Sequence, residues 1–360
     1  VTQPVYNKLL YRVALFTALA TIPLIFIGGQ VTTRQAGLSV PDWPNSYGYN
    51  MWLFPPSLWK GGIFWEHLHR LKATLVGLLS IILGIIAWRT ESRAWVRYVC
   101  YGVLAAVIGQ GVLGGLRVIW KDLDLAIIHA CCAQAFFSLV VFTCVITSRW
   151  WKVVADIPAT RRQPVAKSLV IVAGMAVIAI YLQLIVGAIM RHNDAGLSIP
   201  GIGVYGKLLP PTDVSALERI NDYRIWAMHQ KSVSLYQLWM HFSHRVGAVI
   251  VSVICLSLIG LIAREHRAKS GLFVPAVCLL ALLITQVTLG ILTIYFGVRD
   301  GLKPYEITSF HVLVGALLLV TAVIIAVRAV RLYFITTGAT GVRRSIDPGT
   351  QALNAMQINP

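Results

Sequence analysis

Charge is scarce along this chain, and negative charge is scarcest. Asp, Glu, Lys and Arg make up 12% of its 360 residues, only 14 of them are acidic, and 57% of the chain is hydrophobic. A water-soluble surface carries far more charge than that, so a soluble globular domain is excluded. Cysteine is nearly as sparse. The six, Cys100, Cys131, Cys132, Cys144, Cys255 and Cys278, all fall inside apolar segments, and none sits where an oxidising compartment would pair it. A cleavable leader is not expected either, because the first apolar run is too long for a signal-peptide core and no small-residue cleavage pattern follows it.

What fills the chain is apolar sequence in runs of about twenty residues, the length that crosses a hydrocarbon core about 30 Å thick. Eight transmembrane helices are predicted, over 10–31, 65–88, 97–118, 124–147, 167–190, 239–262, 272–295 and 306–329. Lipid offers no water to an open strand edge, so each run reads as helix. Of the 31 basic residues, 17 lie on the tails and even-to-odd loops, Arg161, Arg162, Arg267 and Lys269 among them. The opposite loops carry fewer, mostly in one long connection that weighs little in the positive-inside rule. Both termini are therefore expected on the cytoplasmic side of a bacterial inner membrane, or on the matrix side of a mitochondrial one. The net charge of +17 follows from this topology and gives no reason to invoke nucleic acid.

The chain repeats itself. Ala36-Gly37-Leu38-Ser39 recurs as Ala195-Gly196-Leu197-Ser198, His69-Arg70 as His244-Arg245, Gln110 with Leu113-Gly114 as Gln286 with Leu289-Gly290, and His129 as His311. The offsets of 159, 175, 176 and 182 keep helices in register while loops absorb insertions, as a duplicated fold requires. Four helices per half make the repeat parallel, with its pseudo-axis along the membrane normal. The expected architecture is all-α: two pseudo-symmetric four-helix bundles, 1–155 and 156–335, and a flexible cytoplasmic tail over 336–360.

The repeat carries chemistry. His69, His129, His244 and His311 lie near the outer ends of alternate helices, and an ionisable residue inside a membrane segment is a functional hypothesis by default. Four at one depth read as two pairs of axial ligands for two haems. Glu66 and His69, three apart, share a helix face and are expected to face one cavity, with His67 rotated toward an interface or loop. Two His and one Glu also fit a non-haem iron or zinc triad. The second half carries His241 where the first has Glu66. A symmetric electron carrier needs no carboxylate in one bundle only, so the chemistry is assigned to the first half and a retained haem to the second.

Arg70 and Arg245 are candidate partners of haem propionates, or else snorkel to the outer interface. Cys131 and Cys132 read as ordinary core thiols or as a redox pair. Gly109, Gly111, Gly114 and Gly115 read as a close-packing surface.

On these residues the chain resembles the haem A synthase family over about 10–330. The resemblance is carried by Gly28-Gly29-Gln30-Val31-Thr32, Ala36-Gly37-Leu38-Ser39-Val40-Pro41-Asp42-Trp43-Pro44, Glu66-His67-Leu68-His69-Arg70, His129 with Ala133-Gln134, His244-Arg245 and His311. It implies a membrane oxidoreductase that converts haem O to haem A for terminal oxidase assembly, turning a porphyrin methyl into a formyl group through a hydroxymethyl stage. It also implies haem b on His244 and His311, the substrate haem near His69 and His129, and an essential carboxylate at Glu66. Some members carry a cysteine pair in the first outer loop, but this chain has none between Gln30 and Phe64, so that pair's role does not carry over. The implied partners are haem O, a haem O synthase, an unidentified electron donor or acceptor and membrane lipid, with a homo-oligomer allowed. Two other classes compete: a dihaem b-type electron-transfer cytochrome, against which the contrast of Glu66 with His241 argues, and a haem transporter, which would more often show broken helices at the midplane.

Overall fold

A computed structural model describes residues 6–158, 165–265, 271–299 and 304–344. Arg161, Arg162, Arg267 and Lys269, which entered the charge count, lie outside the described residues, as does the tail from residue 345. The described residues form ten α-helices and no strand: α1 (Lys8–Thr33), α2 (Gly61–Thr90), α3 (Ala94–Trp120), α4 (Leu123–Thr147), α5 (Arg149–Asp156), α6 (Lys167–His192), α7 (Val214–Asp222), α8 (Leu235–Glu265), α9 (Phe273–Arg299) and α10 (Tyr305–Arg344). All but α5 and α7 are long and apolar enough to cross a membrane, and the chain is a multi-pass membrane protein.

Local chemistry fixes several helix starts. Asn7, Asp122 and Ser148 accept the backbone N–H of Leu10, Leu125 and Trp151, each satisfying a donor that the first turn leaves orphaned. Within the spans, hydroxyls such as Thr17, Thr21 and Ser80 bond the carbonyl four residues back, so polar side chains enter the apolar interior without a loose donor.

Packing closes the spans into two rings. α1 lies against α2 and α4, and α3 against α2 and α4; α6 lies against α8 and α10, and α9 against α8 and α10. The rings meet where α1 and α4 touch α10 and where α4 touches α6. α10 therefore feeds two cores, Leu313, Ala316 and Val320 joining the one built on α1–α4, and Leu318, Leu319, Ala322 and Ile325 joining the other.

The loops after α1 and α6 fold alike. Ser46 pairs with Tyr49 and Val204 with Lys207, around Tyr47-Gly48 and Tyr205-Gly206, all four with positive φ. Glycine takes the second place of each turn because no Cβ opposes that conformation. The tyrosine hydroxyls then donate to Ser39 O (2.6 Å) and Ser198 O (2.9 Å). In the long connection before α8, buried Arg224 bonds Ser198 O, Lys231 O and the Tyr205 hydroxyl, strapping that connection onto the second loop.

Candidate functional site

All four repeated histidines meet a glycine on the neighbouring helix. A Cβ at Gly28 of α1 would stand 3.1 Å from Cε1 of His69; at Gly114 of α3, 3.2 Å from that of His129; at Gly187 of α6, 3.1 Å from that of His244; and at Gly290 of α9, 3.2 Å from that of His311. Each imidazole is thus seated edge-on against bare backbone, a cradle that any side chain would crowd. Gly28 and Gly187 occupy equivalent places in the repeat, as do Gly114 and Gly290.

The imidazoles face one another in pairs, one pair in each half of the chain. His69 and His129 have ring centroids 6.5 Å apart, inclined at 79°, and His244 and His311 have the same 6.5 Å separation at 67°. An imidazole–metal–imidazole unit with metal–nitrogen bonds of about 2 Å spans about 6 Å between ring centres, so both pairs fit a six-coordinate haem iron. His311 Nδ1 lies 3.1 Å from Gln286 O, the kind of second contact that orients a ligating imidazole. Gln183 Nε2 stands 3.0 Å from His244 Nδ1. His129 and His69 likewise face backbone groups, those of Gln110 and Leu24. Among the described residues no group of three or more His, Cys, Asp or Glu side chains converges on one point, which leaves the non-haem triad without a third ligand.

Glu66 is 4% exposed and fully engaged. Val40 donates its N–H to Oε2 and Arg70 donates to Oε1, both at 2.9 Å. Arg70 also reaches the carbonyls of Val40, Asp42 and Asn45, so the structure places it as a clamp on the first outer loop. Arg245 does the same for Ile199, Gly201 and Ile202. Its neighbour His241, 2% exposed, accepts the Ile199 N–H at Nδ1. His67 turns from the histidine pair toward Ser46, Phe54 and Trp59. Tyr181 of α6 bonds Cys131 O, setting Cys131 at the junction of the rings.

The same loop carries Asp42, whose carboxylate accepts from Tyr47 N (2.7 Å) and Gly48 N (2.8 Å). Burial pulls its carboxyl upward, but the Gly48 and Tyr47 N–H groups and the Arg70 charge outweigh that and hold it below the usual carboxylate range.

Two arginines were not singled out by the sequence pattern. Arg117 of α3 donates to Gly37 O at 2.7 Å and lies within electrostatic range of Glu66, His69 and His129. Arg191 of α6 donates to Gly29 O and Thr33 Oγ1 of α1. Their signal was available as a break in the repeat, since the equivalent positions hold Thr293 and Thr32.

A family model described as cytochrome oxidase assembly protein, COX15-CtaA, matches residues 11–323. The Heme A synthase of Shouchella clausii is 25% identical over 295 residues, covering 79% of this chain and 86% of its own length. That of Symbiobacterium thermophilum is 27% identical over 291 residues, covering 79% and 85%. That of Rickettsia felis is 24% identical over 355 residues, covering 87% and 96%.

Proposed function

The chain belongs to the COX15-CtaA family of cytochrome oxidase assembly proteins, and from that premise we propose that it is a haem A synthase, an enzyme that oxidises the porphyrin methyl group of haem O to the formyl group of haem A. The observation that carries the reading is the pair of equally spaced histidine couples with a buried carboxylate in the first half and His241 in its place in the second.

In this reading the halves, read as two pseudo-symmetric bundles, divide the work. His244 and His311 would hold haem b, which supplies one-electron redox chemistry when bound. His69 and His129 would hold the iron of the substrate haem O. Glu66 presents a carboxylate in a site closed by the first outer loop, where it stabilises positive charge developing at the methyl carbon or takes its proton on a carboxylate oxygen. Arg70 holds that carboxylate in place through its 2.9 Å contact. The substrate's long isoprenoid tail suits a membrane site, since it can lie between helices or in lipid. We assign the chain to a bacterial cytoplasmic membrane with both termini inside, receiving haem O from a haem O synthase and exchanging electrons with a partner not named by these residues.

Extraction of the pigment and identification of its haems by mass tests the reading. Haem b together with haem O or haem A species is the expected result, and haem b alone returns the chain to the dihaem electron carrier. Ala in place of His244 or His311 should deplete haem b, and a variant retaining full low-spin haem b would overturn the ligand assignment.

A further inference from the structure

Each histidine pair has a guanidinium one helical turn outward from one of its two glycines. On α3, Gly114 lies against His129 and Arg117 follows three positions later; on α6, Gly187 lies against His244 and Arg191 follows four positions later. Residues three or four apart share a helix face, so each arginine stands at the outer rim of a histidine pair. The repeat does not supply them twice. Thr293 and Thr32, at the equivalent positions, bond carbonyls of their own helices, Leu289 O at 2.8 Å and Gly28 O at 3.2 Å. Each half therefore has one such cation, on helices the repeat does not relate.

Neither cation is ion-paired with a carboxylate among the described residues. Arg117 spends one donor on Gly37 O, and Arg191 buries its Nε with no partner. A guanidinium in a membrane segment with no carboxylate bonded to it is costly, and its five donors form a planar fork that matches a carboxylate. A haem offers that group, since its porphyrin edge carries propionates.

Building on the haem reading above, we propose that Arg117 anchors a carboxylate of the substrate porphyrin in the first half, and Arg191 a carboxylate of the resident haem in the second. The placement separates a ligand that exchanges from one that stays. α3 packs chiefly on α2 and α4, away from the other ring, so the substrate's anchor stands on a side facing lipid. α6 lies at the junction, with Arg191 tied to α1, so the resident anchor is locked between the halves.

Iron protoporphyrin IX and its dimethyl ester, titrated by Soret difference spectra into the full-length protein with its second haem in place, provide the test. The wild type should bind the free acid about tenfold or more tighter than the ester, the worth of a charge-assisted pair. Arg117→Gln should bind both at the ester's affinity, with Arg117→Lys between. Wild-type protein that binds acid and ester alike, or Arg117→Gln that keeps the wild-type discrimination, overturns the first assignment. Arg191→Gln should leave that discrimination intact and lower the midpoint potential of the resident haem, because a buried positive charge disfavours the oxidised iron; an unchanged potential overturns the second assignment. Failure of the haem reading looks different: the wild type would then show no porphyrin spectrum that His129→Ala abolishes.

Discussion

The backbone N–H of Val40 donates to Glu66 Oε2 across 2.9 Å, and this contact fastens the first outer loop to α2. The second half builds the same fastening with Ile199 and His241, so the loop alone does not require a carboxylate. The difference between the halves is charge. Glu66→Gln keeps an oxygen to accept from Val40 and removes the negative charge, which separates latch from chemistry. We expect the resident haem and the fold to survive while conversion of haem O falls by about 10²-fold, typical of losing a positioned acid/base or electrostatic group. Glu66→Asp should fall between. Haem A yield in a host without its own synthase is the measurement, and a wild-type yield from the Gln variant would return the chain to the electron-carrier reading.

A second prediction isolates the glycine cradle. Gly114→Ala would put a methyl 3.2 Å from His129 Cε1, whereas a Cβ at Gly109, on the same helix, meets nothing within 4 Å. Crowding a packed ring costs about 1–3 kcal/mol, so Gly114→Ala should weaken porphyrin binding in the first half and shift its Soret band, with Gly109→Ala spectrally silent. Equal spectra for the two variants would mean that the close approach does not position the ligand.

The contrast between Gly114 and Gly109 also marks what the sequence could tell. Both read there as close-packing glycines, but only the fold shows which one lies against an imidazole. The eight spans were legible because each must present about twenty apolar residues to lipid. Their ends were less so: α10 continues to Arg344, where the apolar run ends near 329, because hydrogen bonding along a helix does not stop at the membrane surface. α5 and α7 escaped because eight or nine mixed residues carry no hydropathy signal. Glu66 and His69 share a helix face by spacing, yet what Glu66 touches is Val40, twenty-six residues earlier. No periodicity reports a contact between a helix and a loop. Arg117 is a lone arginine at a helix end, and no spacing reports that Gly37 and the histidine pair lie around it.

Sidedness gives a third prediction. The histidine pairs stand near the starts of α2, α4, α8 and α10, and the loops holding Asn45 and Asp213, both exposed, lead into the starts of α2 and α8. Single cysteines at these positions should react with an impermeant thiol reagent added to intact cells from the outside. Reaction only after the inner face is opened would reverse the proposed orientation and place both haem sites toward the cytoplasm.

The last prediction concerns acid. Asp42 holds the Tyr47 and Gly48 N–H groups at 2.7 and 2.8 Å, and its carboxyl lies below the usual range because these bonds and Arg70 outweigh the opposing effect of burial. A depressed carboxyl stabilises the folded loop fully above the unfolded value of about 4, and the contribution is lost as pH falls through the lower folded value. The second loop has Gly201 in the place of Asp42, so its Val204–Lys207 turn has the same shape with no carboxylate on it, and only its fastening at Ile199 rests on a titratable acceptor, the His241 imidazole. Hydrogen exchange should therefore show the turn at 46–49 losing protection on acidification below about pH 4, while the turn at 204–207 changes only with the intrinsic exchange rate. Asp42→Asn should remove the acid step, leaving the first turn as indifferent to pH as the second. Loosening of both turns at one pH, or an acid step that persists in the Asn variant, would show that the carboxylate of Asp42 is not what holds the first turn.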